Sequence, residues 1–342
     1  MKLLHVMAGA ATGGAENIFL ECVLALADGG LAQAVVTRPN NAFRTASLKA
    51  RDISVHHASF NPLFRWPTNG AIEAAIDALK PDLIQYWMGR AGTFAKPGRA
   101  PQFGWYGGYY KLTRFAACDH HIALTEDIAR HIVAQGAEPE RTHVIRTFAE
   151  FAPTAPADRS KFDTPDGAPV LLALARLHWK KGLDVLLKAL PDIPEAYLWI
   201  AGEGPLRQEL EELTRTLGLE SRVRFLGWRD DRAALLAAAD ACVFPSRYEP
   251  FGTVTVDAWA AKVPLIAAAA QGPKAYVTDG EDGLLVPIDD VPALATAIQR
   301  VLREQGLKAR LTEGGTRTYR ARFTKDVYIR DSIALYERVL KA

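Results

Sequence analysis

Three short stretches in the second half of the chain carry residue types that can do chemistry together. Arg176-Leu177-His178-Trp179-Lys180-Lys181-Gly182 sets an arginine and two lysines where an apolar run ends and a helical pattern begins. Cations at a helix amino terminus, whose backbone N–H groups also favour an anion, suit a diphosphate. Gly202-Glu203-Gly204-Pro205 follows the next apolar run, and small residues there let a flat group lie against backbone. Glu249, in the stretch from Pro245 to Gly252, is a carboxylate able to accept hydrogen bonds from sugar hydroxyls. Together these pieces describe a pocket for a nucleotide-diphosphate sugar.

The elements that must position them follow from the pattern around each. Pro245 and Pro250 make the Glu249 segment extended and turn-like. Val254, Ala258 and Ala261 then recur at helical spacing, which puts Asp257 about two turns into a helix. Strands are predicted over 170–175, 197–201, 223–226, 241–244 and 264–268, with helices over 182–190, 206–217 and 232–239 and after Gly252. Short strands alternating with helices give a parallel, doubly wound sheet, and ligands bind such sheets at the carboxyl ends of the strands.

The first half repeats the pattern. A strand from Lys2 runs through Gly9 to Gly14 into a helix reaching Asp28, so Gly13 and Gly14 sit where strand meets helix. The spacing is not that of a dinucleotide fingerprint. Phe60 to Pro67, with three aromatics, an arginine and two prolines, reads either as a loop packed on its domain or as an exposed apolar patch facing a membrane or a lipid-linked partner. Gly104 to Lys111 holds four aromatics and three glycines in eight residues. Trp105, Tyr106 and Tyr109 there offer flat faces to a sugar or lipid acceptor, or else pack around a glycine turn. His120 and His121 fall next to each other on a strand, so they point to opposite faces and are poorly placed to chelate one metal.

A proline-, alanine- and aspartate-rich passage over 147–169 reads as a linker, which divides the 342 residues into domains of 1–155 and 156–322. Two doubly wound domains facing a cleft are expected, with the final helix, about 323–342, packed back on the first. With 49% hydrophobic and 23% charged residues the chain is ordinary globular protein, and a net charge of +2 argues against a nucleic-acid partner. No apolar run approaches the roughly 18 residues of a membrane-spanning helix, and no cleavage pattern follows the first strand, so a cytoplasmic protein is expected. Cys22, Cys118 and Cys242 are far apart in apolar settings and read as buried thiols.

The chain resembles the retaining glycosyltransferases of the GT-B fold, the group 1 or family 4 type. The resemblance is strongest over 172–287, in Ala175 to Gly182, Gly202 to Pro205, Phe225-Leu226-Gly227 and Asp279 to Val286. Glu249 and Asp257 occupy the two acidic positions of the E-x7-E signature, the second one methylene shorter than usual. The resemblance implies two Rossmann-like domains. It also implies that Arg176 and Lys181 neutralise the donor diphosphate, that Glu249 meets the donor sugar with the backbone amides of Phe251 and Gly252, and that Asp257 binds the ribose. Gly202, Glu203 and Gly204 would line the donor pocket, and Gly13 and Gly14 would approach the diphosphate. The histidines that the family often carries near positions 85 and 87 are absent, since Gln85 and Trp87 stand there. No cofactor and no metal are implied, the nucleotide-sugar being a substrate. The resemblance to bacterial lipopolysaccharide and cell-surface glycan enzymes implies a glycan or lipid-linked acceptor and contact with the cytoplasmic face of the inner membrane. A catalytically silent nucleotide- or glycan-binding paralogue and a nucleotide-sugar epimerase are the alternatives.

Overall fold

A computed structural model describes the chain apart from Thr12, Arg99 and Ala342. It divides into two compact units, Met1–Thr147 with Lys325–Ala342, and Phe148–Thr324.

Unit 1 is built on seven parallel strands: β1 (Lys2–Met7), β2 (Ala32–Thr37), β3 (Ser54–His57), β4 (Leu83–Trp87), β5 (Gln102–Tyr106), β6 (His120–Ala123) and β7 (Thr142–Val144). Its helices are α1 (Gly14–Asp28), α2 (Ala42–Lys49), α3 (Trp66–Leu79), α4 (Met88–Gly92) and α5 (Glu126–Val133). The strand order is β3-β2-β1-β4-β5-β6-β7. The inner strands are buried on both faces, which is why they read as continuous apolar runs rather than alternating ones.

Unit 2 has six parallel strands in the order β10-β9-β8-β11-β12-β13. They are β8 (Val170–Leu174), β9 (Tyr197–Ala201), β10 (Val223–Gly227), β11 (Ala241–Phe244), β12 (Leu265–Ala268) and β13 (Leu284–Val286). The helices are α6 (Leu183–Ala189), α7 (Arg207–Thr216), α8 (Arg232–Ala238), α9 (Thr253–Ala260), α10 (Gln271–Tyr276), α11 (Val291–Arg303) and α12 (Gln305–Arg322). Leu171, Leu186, Ile200, Val243, Ile266 and Ile298 are among the side chains of its core. The last helix, α13 (Lys325–Lys341), belongs to unit 1, where Tyr336 donates to Gln85 Oε1 at 2.6 Å.

Both units are therefore Rossmann-like, doubly wound parallel sheets. Among the described residues no helix is long and apolar enough to cross a membrane. Burial raises all three cysteine thiols well above their usual range, that of Cys22 to about 12, which leaves them unreactive.

Of the two alternatives for residues 104–111, the structure bears out packing for Trp105 and Tyr106 and overturns their presentation to an acceptor. Gln102 to Tyr106 form a fully buried strand, and the glycines beside it make room for rings rather than for a ligand. A Cβ on Gly104 would lie 2.6 Å from the Phe115 ring, and one on Gly107 2.5 Å from that of Trp105. Of the stretch over 60–67, only Phe60 packs inside. Leu63, Phe64 and Trp66 stand in solvent, so the exposed-patch alternative describes them.

Candidate functional site

In each sheet the strand order reverses once, and in such sheets ligands bind at that point, outside the carboxyl ends of the two flanking strands. In unit 2 the reversal falls between β8 and β11. The segment after β8 carries Arg176 and Lys181, and the segment after β11 carries Glu249. Residues 68 apart in sequence thus become neighbours, and Lys181 Nζ donates to Glu249 Oε2. The pair is largely buried, with side chains 24% and 15% exposed. Lys181 also lies over the Phe244 ring, 5.6 Å from its centroid. Arg176 is exposed and finds no ion-pair partner among the described residues, which leaves its guanidinium free for an anion.

Backbone contacts hold these segments in place. Arg247 N donates to Lys180 O at 2.8 Å, and Leu177 N to Glu203 O at 3.0 Å. The Arg247 guanidinium forks onto both oxygens of Asp184 at 2.7 Å and also reaches Asp289 at 2.6 Å. This hydrogen bonding to Asp184 raises the Arg247 pKa above its ordinary value, and the residue acts as a brace rather than a ligand. Lys180 is turned to the Tyr248 ring, 4.6 Å from its centroid.

Gly202 and Gly204 were read as space for a planar group. The structure shows a different need: a Cβ on Gly202 would lie 2.0 Å from Ala175 O, and one on Gly204 2.4 Å from Leu177 O. The chain itself fills the space, and these glycines let two loops at neighbouring strand ends touch. Gly182, with φ +62, is required in the same way by Pro245 O, 2.0 Å from its would-be Cβ. The Glu203 carboxylate is 3.2 Å from Arg207 Nη1 and belongs to an exposed ion-pair group with Glu211.

Phe251 is buried against Tyr276, with ring centroids 5.3 Å apart. The Tyr276 hydroxyl lies 2.6 Å from Phe251 O and 3.0 Å from Gly252 O, fixing the entry to α9. Gly252 has φ +90, and a Cβ there would meet the Phe244 ring at 2.8 Å. Asp257 falls little more than one turn into α9, not two, because the helix starts at Thr253. Its side chain is 6% exposed and lies 3.9 Å from Arg232 Nη1. Arg232 is a neighbour that the sequence pattern did not point to.

The motif Asp279 to Val286 turns out to be a brace for α9 and α12. Asp282 accepts from Thr278 N and Thr318 Oγ1, both at 2.8 Å, and its carbonyl accepts from Trp259 Nε1 at 2.6 Å.

In unit 1 the reversal falls between β1 and β4. The glycine segment after β1 is held by side chains that sequence reading missed. Asn40 donates to Gly9 O at 3.1 Å, Arg44 to Ala10 O at 3.4 Å and Asn41 to Ala11 O at 2.6 Å. Glu16 Oε1 accepts from Ala10 N at 2.7 Å. Consecutive carbonyls are thus each taken by a side chain from one turn, and Arg44 is buried in doing so. Gly13 makes room for the Glu16 carboxylate, whose Oε2 would be 2.3 Å from a Cβ, whereas Gly14 has open space.

Of the acceptor residues expected in unit 1, Trp105 and Tyr106 are buried and Tyr109 is half-buried. Trp105 is buried against Trp87 at 4.8 Å, and Tyr106 against Phe115 at 4.3 Å. Tyr109 donates to Asp127 and meets His131 edge-on. The first two are core rings, because β5 lies inside the sheet. Gln85 and Trp87 are likewise committed, Gln85 to Tyr336 and Trp87 Nε1 to His5 Nδ1 at 3.0 Å. His120 turns to His143 while His121 turns to Tyr106. Among the described residues no three His, Cys, Asp or Glu side chains converge to hold a metal.

Comparison with known proteins decides the family. The model for "Glycosyl transferases group 1" matches residues 155–318. The lipopolysaccharide core biosynthesis glycosyltransferase LpsE of Rhizobium meliloti is 33% identical over 95% of this chain and 96% of its own length. This chain belongs to the group 1 glycosyltransferases. LpsD of the same organism, with the same description, is also 33% identical, over 99% of this chain and 98% of its own. Among solved structures, Anabaena HepE in complex with UDP and glucose superposes with a TM-score of 0.82 at 24% identity, covering 98% of this chain and 99% of its own. That likeness supports the GT-B fold of this glycosyltransferase.

Proposed function

We propose that this glycosyltransferase moves a sugar, a hexose or a close relative, from a nucleotide-diphosphate donor to a hydroxyl of a lipopolysaccharide-core or similar cell-surface glycan. The names of LpsE and LpsD support the glycan class, and the UDP in HepE supports the donor class. The observation that carries the reading is the junction of the segments after β8 and β11, where Lys181 and Glu249 meet and where the segment after β8 also carries Arg176, without an ion-pair partner among the described residues.

In this reading Arg176 and Lys181 take the diphosphate, and Glu249 exchanges its bond to Lys181 for one to the sugar hydroxyls. Phe251 and Gly252 add backbone amides, Gly202, Glu203 and Gly204 shape the pocket floor, and Asp257 reaches the ribose. Transfer proceeds with retention. The acceptor oxygen bonds to the anomeric carbon on the face from which the diphosphate departs. The anomeric C–O bond breaks with its electron pair going to the leaving phosphate, and that phosphate takes the acceptor proton. Charge therefore accumulates on the diphosphate, where fixed cations stabilise the transition state most. The residues named need no metal for this step. The enzyme works at the cytoplasmic face of the inner membrane, on an acceptor anchored there.

A thermal-shift screen of UDP-, GDP- and ADP-sugars, followed by nucleoside diphosphate release with and without lipopolysaccharide-core acceptor, tests the proposal. Stabilisation by one donor series and acceptor-dependent release are expected. Binding without turnover would instead indicate a silent paralogue.

A further inference from the structure

Because the strands of unit 1 are parallel, the segments leaving β1 to β5 all emerge at one edge of the sheet. Those segments, residues 8–13, 38–41, 58–65, 88–93 and 107–114, contain no aspartate or glutamate but hold Arg38, Arg65, Arg90, Lys111 and Arg114. Among the described residues none of these cations has a carboxylate partner. At the opposite edge Asp82 accepts from Lys2 N at 2.8 Å and Asp119 from Gln102 N at 2.9 Å, whereas Glu126 and Asp127, which follow β6 on the carboxyl edge, pair with Arg146 and Arg130. The part of the carboxyl edge formed by the segments after β1 to β5 is therefore cationic.

The same edge carries an apolar protrusion. Leu63, Phe64 and Trp66 are 84%, 62% and 77% exposed. Their loop is anchored: Phe60 is buried against Phe94 at 5.5 Å, and its amide donates to Thr68 at 3.0 Å. Asn61 Oδ1 accepts from Leu63 N at 2.9 Å, which fixes the turn that presents them. Arg38 Nε donates to Ser59 O at 3.1 Å, tying the root of the protrusion to the cationic edge. Arg65 lies over the Phe94 ring at 4.4 Å.

We infer that Leu63, Phe64 and Trp66 insert into the interfacial region of a bilayer whose anionic headgroups are met by Arg38, Arg65, Arg90, Lys111 and Arg114. Large apolar side chains on a convex, anchored turn gain by leaving water at a lipid interface, whereas a polar glycan would leave them unburied. Cations near an anionic surface add an attraction that salt screens. The inference extends the membrane location proposed above but does not depend on the donor site.

Vesicle flotation of the full-length protein tests it, using phosphatidylethanolamine with phosphatidylglycerol against phosphatidylcholine alone. The wild type should float with the anionic vesicles, less so as salt rises, and only weakly with phosphatidylcholine. Replacing Leu63, Phe64 and Trp66 together by serine should weaken flotation by at least about tenfold, with melting temperature and donor hydrolysis unchanged. Arg90→Gln with Arg114→Gln should weaken binding to the anionic vesicles alone. Equal flotation of the triple-serine variant, or no flotation of the wild type in either mixture, overturns the inference. Failure of donor hydrolysis with flotation intact would instead count against the proposed transferase site.

Discussion

Lys181 and Glu249, 68 positions apart, share a hydrogen-bonded ion pair at the point where the second sheet reverses its strand order. One residue comes from the segment after β8 and the other from the segment after β11. Each partner neutralises the other, which keeps two opposite charges in a partly buried place. In the proposed reading, a donor with a diphosphate at one end and hydroxyls at the other would replace the pair by two separate contacts.

Arg247 braces this arrangement through Asp184 and Asp289. Arg247→Lys should lower stability by about 1–2 kcal/mol, because an ammonium cannot fork onto both Asp184 oxygens. Urea unfolding checks the stability. Transfer activity should fall along with it, since the Glu249 segment loses its anchor.

Among the glycines singled out by the sequence, Gly182 and Gly202 are needed by the chain and Gly14 is not. Gly182→Ala or Gly202→Ala forces a Cβ onto a backbone carbonyl at 2.0 Å and should cost about 3 kcal/mol or more. Gly14→Ala meets no atom within 4 Å and should leave stability within about 0.5 kcal/mol. Any loss of activity in Gly14→Ala at unchanged melting temperature then reports a ligand close to that position.

Asn41 does two jobs that can be separated. Its Oδ1 caps α2 at Arg44 N, at 2.7 Å, and its Nδ2 holds Ala11 O. Asn41→Ala should cost about 1–2 kcal/mol. Asn41→Asp keeps the capping acceptor and should recover part of this, while the glycine segment stays loosened. Hydrogen exchange at Ala10 N would show that loosening as faster exchange in both variants.

Acid should destabilise unit 1 before it protonates most carboxylates. Burial lowers the His5 pKa from 6.5 to about 4, and those of His121 and His143 to about 4 as well. Between those values the unfolded chain binds protons that the native state refuses, so stability falls as pH drops from 6.5 toward 4. Fully buried His5 alone accounts for about 2 kcal/mol at pH 5. Urea titrations at pH 7 and pH 5 check the sign, and no change would contradict it.

The alternation of strands and helices was legible because buried parallel strands are written as short continuous apolar runs, as in Leu171-Leu172-Ala173 or Ala241-Cys242-Val243-Phe244. That Lys181 and Glu249 come together was legible because each follows the end of such a run. Gly104-Trp105-Tyr106 was not, since aromatic residues beside glycine fit a loop as well as a strand until Phe115 is seen to need the space. Gly202 and Gly204 showed that something approaches closely, but not that it is the chain itself. The Asn40, Asn41 and Arg44 contacts were out of reach, because their carbonyl partners lie some 30 residues earlier and only the β1–β2 crossover brings them together.

The central claim is that Lys181 and Glu249 form the donor site. Nucleoside diphosphate release by Lys181→Ala and Glu249→Ala, measured with melting temperatures, tests it most directly. Each variant should lose at least about a hundredfold in rate while melting within a few degrees of the wild type. Near-wild-type rates in both folded variants would contradict the account.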